Sequence, residues 1–175
     1  MGVGFKYIDE DDKCYGIAGM AVAMMVWDGE NLLSSISLDA PANEAMNFTS
    51  DFYFTGNPRL SAKFAWNRIL EHYQLSMGMF IANIMCRNIV LHNTSISNEL
   101  KNLAYKYILE EGEAVCSLEN DEIKALFDKS YNYLYNIFNH SGVQNIIFEF
   151  VDQLKLKRYL SQKEVIENLQ ALGML

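Results

Sequence analysis

The side chains able to do chemistry in this chain are few, and their spacing keeps them apart. Cys14, Cys86 and Cys116 are the candidate nucleophiles, and His72, His92 and His140 the candidate bases. A thiol nucleophile needs a base within hydrogen-bonding reach. Cys86 and His92 are six residues apart, which on a helix turns them about 240° from each other, and His72 lies about 21 Å along a continuous helix from Cys86. A buried cysteine acts as a small inert hydrophobe, and that role explains all three here. His92 and His140 fall near the expected ends of helices, where the helix dipole favours an imidazolium without any ligand.

Metal sites fare no better. Inside helical bundles they are built from carboxylates together with a Glu-x-x-His pair, because side chains at i and i+3 point the same way. No glutamate here has a histidine three residues later. Glu110 with Glu113 and Glu149 with Asp152 come nearest, each at a helix end or on a polar helix face where solvated charge is expected. The cysteines are odd in number, widely separated and form no C-x-x-C pair, so neither a disulfide framework nor a zinc site is indicated. Leu32-Leu33-Ser34-Ser35 lacks the flanking glycines of a nucleophile elbow, and there is no phosphate-cradling glycine loop. No catalytic residue, metal or cofactor is expected from these patterns.

Two groups of residues remain. Asp51, Tyr53, Trp66, Arg68 and His72 combine charge, aromatic surface and hydrogen-bonding groups around a glycine-bearing segment, a mixture suited to lining a small-molecule pocket between residues 47–57 and the helix that starts at Pro58. Tyr133, Tyr135 and Phe148 lie beside the apolar stripes of their helices, where aromatic surplus suits either a crowded core or a contact with another protein chain. Lys155, Lys157 and Arg158 form the one compact basic cluster. They sit where a helix should end, so complementing its dipole is their first role and meeting an acidic partner or an anion their second.

Composition narrows the partners. A net charge of −8 and a pI near 4.8 argue against nucleic acid, whose binding depends on Lys and Arg neutralising phosphates. They argue equally against anionic membranes. Asp9, Glu10, Asp11 and Asp12 precede the apolar run Gly16 to Trp27, where a secretory signal would need positive charge. That run has twelve residues, against about twenty for a bilayer span. A cytoplasmic protein is expected. Three N-glycosylation matches at Asn47, Asn93 and Asn139 are read as chance. The leading expectation is a self-associating or protein-docking module without catalytic activity, a homodimer included. The alternative is a small-molecule-binding protein or an enzyme using the pocket above.

The elements that must position these residues are helices. From Pro58 onward there is no further proline, and apolar residues return every three or four positions. The spacing predicts an all-α, single-domain bundle of about six or seven helices across 1–175, with an acidic arm at 1–12 and an irregular linker or long loop at 30–57. An alternative α+β reading places a small β-meander at about 22–54, turning at Asp28-Gly29 between strands Ala23–Trp27 and Leu32–Leu38, with Phe48–Phe54 as a third strand. Downstream, the pattern predicts a helix from Pro58, a break near Ser76-Met77-Gly78, and a helix from Asn98 to Glu111 that stops near Gly112. A stripe of Ile123, Leu126, Phe127, Tyr131, Leu134, Ile137 and Phe138 marks the next. Gly142 separates it from a helix burying Val143, Ile146, Ile147, Phe150, Val151 and Leu154, and a Ser161–Glu164 capping box opens the last.

Overall fold

The computed structural model describes residues 6–53 and 62–174. Its first helix, α1 (Glu10–Val26), begins where Asp9 accepts a hydrogen bond from the Asp12 N–H, and Glu10, Asp11 and Asp12 complete an acidic first turn. Both features stabilise a helix N-terminus. The helix thus reaches back into the acidic stretch 1–12, and Asp12 is buried. Most of α1 is buried on every side, and small residues let its neighbours approach: a Cβ at Gly19 would lie 2.3 Å from the Ala82 carbonyl oxygen.

That carbonyl belongs to α2 (Ala62–Met85), which continues without interruption into a π-helical turn, Cys86–Leu91. Together they form a spine about 45 Å long at 1.5 Å per residue. The break expected near Ser76-Met77-Gly78 is absent. Gly78 instead makes room for the Trp27 indole, which a Cβ there would meet at 2.5 Å. Asn57 and Pro58, the expected helix start, lie outside the described residues. The stretch Ala65–Leu91 is long and apolar enough to cross a membrane by composition, yet 61% of that window is buried inside the fold. Burial against α1 already accounts for its hydrophobicity.

Four further helices pack around this pair: α3 (Asn98–Cys116), α4 (Asn120–Asn139), α5 (Ser141–Lys157) and α6 (Gln162–Leu169), the last followed by a 3₁₀ turn. The stripe on α4 is inward as expected, with Ile123, Phe127, Leu134 and Phe138 buried, and the Ser161–Glu164 capping box opens α6. On α3 the inward face is Ala104, Ile108, Gly112 and Cys116, while Leu103 and Tyr107 are exposed. The helix also runs past Gly112. A Cβ there would meet the Tyr73 hydroxyl at 2.5 Å, and that hydroxyl donates to the Ile108 carbonyl at 2.9 Å. Gly112 therefore permits close approach and does not terminate the helix. Likewise the α4–α5 joint is at His140, with Gly142 inside α5.

The remaining structure is a three-stranded antiparallel sheet in the order β2-β1-β3. Strands β1 (Leu33–Ser37) and β2 (Met46–Phe48) come from the segment that the sequence leaves between a loop and a meander. The third strand, β3 (Tyr159–Ser161), comes from the far end of the chain, where three residues between two helices carry no strand signal. Ile36 pairs with Leu160, and both are fully buried, so core contact rather than strand propensity fixes this register. The fold is a mostly helical bundle with a small sheet at one side.

Two polar assemblies hold the α1 end of the bundle. Asp12 and Arg87 form a bidentate buried ion pair. Arg87 also donates to the Asn83 side chain and the Lys6 carbonyl, its guanidinium lies 5.1 Å from the Tyr7 ring centroid, and Asn83 donates to the Tyr7 hydroxyl at 2.8 Å. Outside this cluster, Lys155 pairs with Asp11, Lys157 with Glu164, and Arg158 with both Glu10 and Asp39. The basic cluster at the end of α5 thus meets its acidic partners within its own chain.

Candidate functional site

A cleft of about 380 Å³ opens beside the N-terminal half of α2. One wall is a single helix face: Arg68, Glu71, His72 and Leu75 follow the i, i+3, i+4, i+7 spacing that puts side chains on one side of a helix. The opposite wall is the turn that ends α1. Its Asp28 N–H donates to the Met25 carbonyl and its Gly29 N–H to the Met24 carbonyl, with Asp28 at φ 53°. This is a Schellman cap, with aspartate in the left-handed position that usually holds glycine. The cap presses Gly29 onto Leu75, where a Cβ would sit 3.0 Å from the leucine side chain. Asp28-Gly29 is therefore a helix stop and not the hairpin turn of the meander reading. The third wall is the turn after β2, held by a hydrogen bond from the Thr49 N–H to the Leu32 carbonyl and another from the Phe52 N–H to the Thr49 carbonyl. It brings in Asp51 and Phe52.

The chemistry of these walls is layered. Gly29, Phe52 and Leu75 are buried at the base, His72, Gln74 and Trp27 are half-buried, and Asp28, Asp51, Arg68 and Glu71 are exposed at the rim. The His72 ring lies 4.6 Å from the Phe52 ring, and burial holds its pKa below the ordinary value. That burial favours the neutral imidazole. No hydrogen bond among the described residues ties His72 to a carboxylate, so the triad logic of an activated nucleophile is not assembled here. Nor does any rim charge have an ion-pair partner among the described residues.

Of the five residues singled out from sequence for a pocket, Asp51, Arg68 and His72 converge on this cleft. Tyr53 is described outside its lining, exposed and edge-on to Phe48 and Phe52, and Trp66 likewise stands apart, partly exposed. Sequence reasoning missed Trp27, Asp28, Phe52 and Glu71. Glu71 was within reach, since its spacing from Arg68 and Leu75 already marks the shared face. Trp27 was not, because its position depends on the space above Gly78.

The three aromatics proposed for a protein contact are 48%, 40% and 40% exposed at Tyr133, Tyr135 and Phe148. Each leans on an aromatic ring of its own chain: Tyr133 edge-on to Trp27, Tyr135 stacked on Tyr131, and Phe148 edge-on to Tyr15. Tyr133 and Tyr135 also diverge by about 200° around the axis of α4, so they do not make one flat patch.

The cysteines are free and buried. Burial pushes the Cys14 thiol up to about 11 and carries Cys86 well above the usual thiol range, opposite to the activation a nucleophile requires. No cluster of three or more metal-ligating side chains occurs among the described residues. No family model, curated protein or solved structure matches the chain.

Proposed function

We propose that the protein binds a small molecule in the cleft between the end of α1, the turn after β2 and the first half of α2. One observation carries this reading: charged side chains from three separate elements surround an apolar base and have no described partners within the chain. Pockets that bind small molecules have this composition, apolar and aromatic below with a few polar groups to orient the ligand. The volume of about 380 Å³ also falls within the range of such pockets. Binding fits the lining better than catalysis does, since the one imidazole has no orienting carboxylate. Thermal-shift screening against metabolites and metal ions tests the reading, with the Arg68→Ala/Glu71→Ala double variant as the locator. The expected result is stabilisation by at least one compound class that weakens in the double variant. Absence of any shift, or a shift the variant leaves intact, would refute it.

A second reading, contact with another protein or a second copy of the chain, rests on the surface that Tyr133, Tyr135 and Phe148 still expose. Sedimentation velocity at micromolar concentration decides it, and a strict monomer speaks against self-association. A cytoplasmic setting is supported by three unpaired, buried thiols. Nucleic acid and anionic membranes are disfavoured as partners by the net charge of −8.

A further inference from the structure

The cleft's charges are unevenly balanced. Asp28, Asp51 and Glu71 approach from the turn after α1, the turn after β2 and α2, and among the described residues Arg68 is the single cation facing them. His72 adds no charge while neutral. Its described residues therefore give the rim a net charge of about −2, counting three carboxylates against one guanidinium, in a molecule that is itself at −8. Fields of this sign concentrate cations at the mouth of a cleft. Below the rim, Trp27 and Phe52 supply aromatic surface next to the buried Leu75. Aromatic faces attract cations through the ring quadrupole and accept flat apolar bodies equally well.

From these walls we infer that the cleft selects organic cations: an amine or guanidinium on a small aromatic or apolar body, with the body over Phe52 and Leu75 and the charge among Asp28, Asp51 and Glu71. This class assignment rests on the binding reading above and adds the sign of charge that the cleft accepts. Gln74 and the neutral imidazole of His72 stand half-buried between base and rim, so both can accept a hydrogen bond from an ammonium group as well. Protonation of His72 on acidification opposes binding, because an imidazolium would repel the ligand.

Three isosteres test the assignment by quenching of Trp27 fluorescence in a Trp66→Phe background: 2-phenylethylamine, 2-phenylethanol and phenylacetate. The amine is expected to bind about fivefold to tenfold tighter than the alcohol, the range that a half-exposed cation–π contact and screened carboxylates supply. Phenylacetate is expected to bind weakest. Asp51→Asn with Glu71→Gln should bring the amine down to the level of the alcohol and leave the alcohol unchanged. Raised ionic strength should weaken the amine alone. Equal binding of amine and alcohol overturns the charge assignment while the binding reading stands, and tighter binding of phenylacetate, lost in Arg68→Ala, replaces it with an anion site. If none of the three binds, the thermal-shift screen separates the outcomes. A cationic hit abolished by Asp51→Asn/Glu71→Gln supports the assignment, any other hit refutes it, and an empty screen refutes the binding reading itself.

Discussion

Two arginines on one continuous helical spine meet opposite fates. Arg87, on the π-helical turn, is 9% exposed and engages Asp12 bidentately, Asn83, the Lys6 carbonyl and the Tyr7 ring. Arg68, toward the other end, is exposed beside the cleft and has no described partner. A buried charge must be paired and hydrogen-bonded or it forces the chain to another structure. A charge left open at the lip of a cavity stabilises nothing in the folded chain. Where side-chain hydrogen bonding is saturated, then, the residues serve the fold; where it is open, they are free to serve a ligand.

Removing the saturated charge gives the largest effect. Arg87→Ala leaves Asp12, 1% exposed, as an unpaired buried carboxylate. The expected cost is about 3–5 kcal/mol, read from urea unfolding. Arg68→Ala should stay within about 0.5 kcal/mol, as surface substitutions do. If Asp12 is replaced together with Arg87, as Asp12→Leu with Arg87→Met, most of the loss should return, because the charge left behind is what destabilises. Equal losses from Arg87→Ala and Arg68→Ala would dissolve the contrast.

Backbone proximity comes next. Gly19→Ala drives a methyl into the Ala82 carbonyl, a backbone atom that can move only with its helix, and should cost about 1–3 kcal/mol. Gly78→Ala meets only the Trp27 ring, a side chain at the edge of the cleft. It should cost less than Gly19→Ala and show its effect in the tryptophan fluorescence instead. The pair separates packing that sets the fold from packing that shapes the cleft.

How much of this was legible in the sequence follows the same division. The helices past residue 98 could be read because their apolar stripes repeat locally, as Ile123, Phe127, Leu134 and Phe138 do on α4. Strand β3 could not, since Tyr159–Ser161 is a strand only by lying along β1, more than a hundred residues away in the chain. Gly78 and Gly112 look like helix breakers locally, and it is Trp27 and Tyr73 arriving from elsewhere that turn them into contact points. The Asp12–Arg87 pair has no sequence signal either, because Asp12 is one of four consecutive acidic residues and only its turn on α1 singles it out. At the cleft, Asp51, Arg68 and His72 come from the group that composition singled out, Tyr53 and Trp66 of that group lie outside the lining, and Asp28 enters through the cap of α1.

Asp28 gives a smaller, signed prediction. It holds φ 53° at the left-handed position of the α1 cap, where glycine carries no penalty and most other residues cost about 1–2 kcal/mol. Aspartate tolerates this conformation better than most, so Asp28→Gly should stabilise the fold by about 0.5–1 kcal/mol in thermal unfolding. The same change removes a rim carboxylate and should weaken amine binding. A variant that is more stable but binds less tightly would mark Asp28 as kept for the ligand at the expense of the cap. If stability and affinity both rise, its carboxylate belongs to neither role.

The smallest expected effect is the dependence of stability on the protonation of His72. Its imidazole is half-buried against Phe52, and that burial lowers its folded pKa from the ordinary 6.5. A lowered pKa means that the folded state binds fewer protons than the unfolded chain, so this residue contributes no loss above the unfolded value. Its destabilisation should grow as pH falls through 6.5 toward the lower folded value and then level off. Denaturant midpoints compared across that window in the parent and in His72→Gln isolate the contribution. The parent should lose more than the variant as the solution is acidified. A bound amine should steepen the parent's loss, because protonation then brings two positive charges into one cleft. If the curves of parent and variant run parallel with and without amine, His72 is already solvated well enough to charge freely, and the cleft is more open than its apolar base implies.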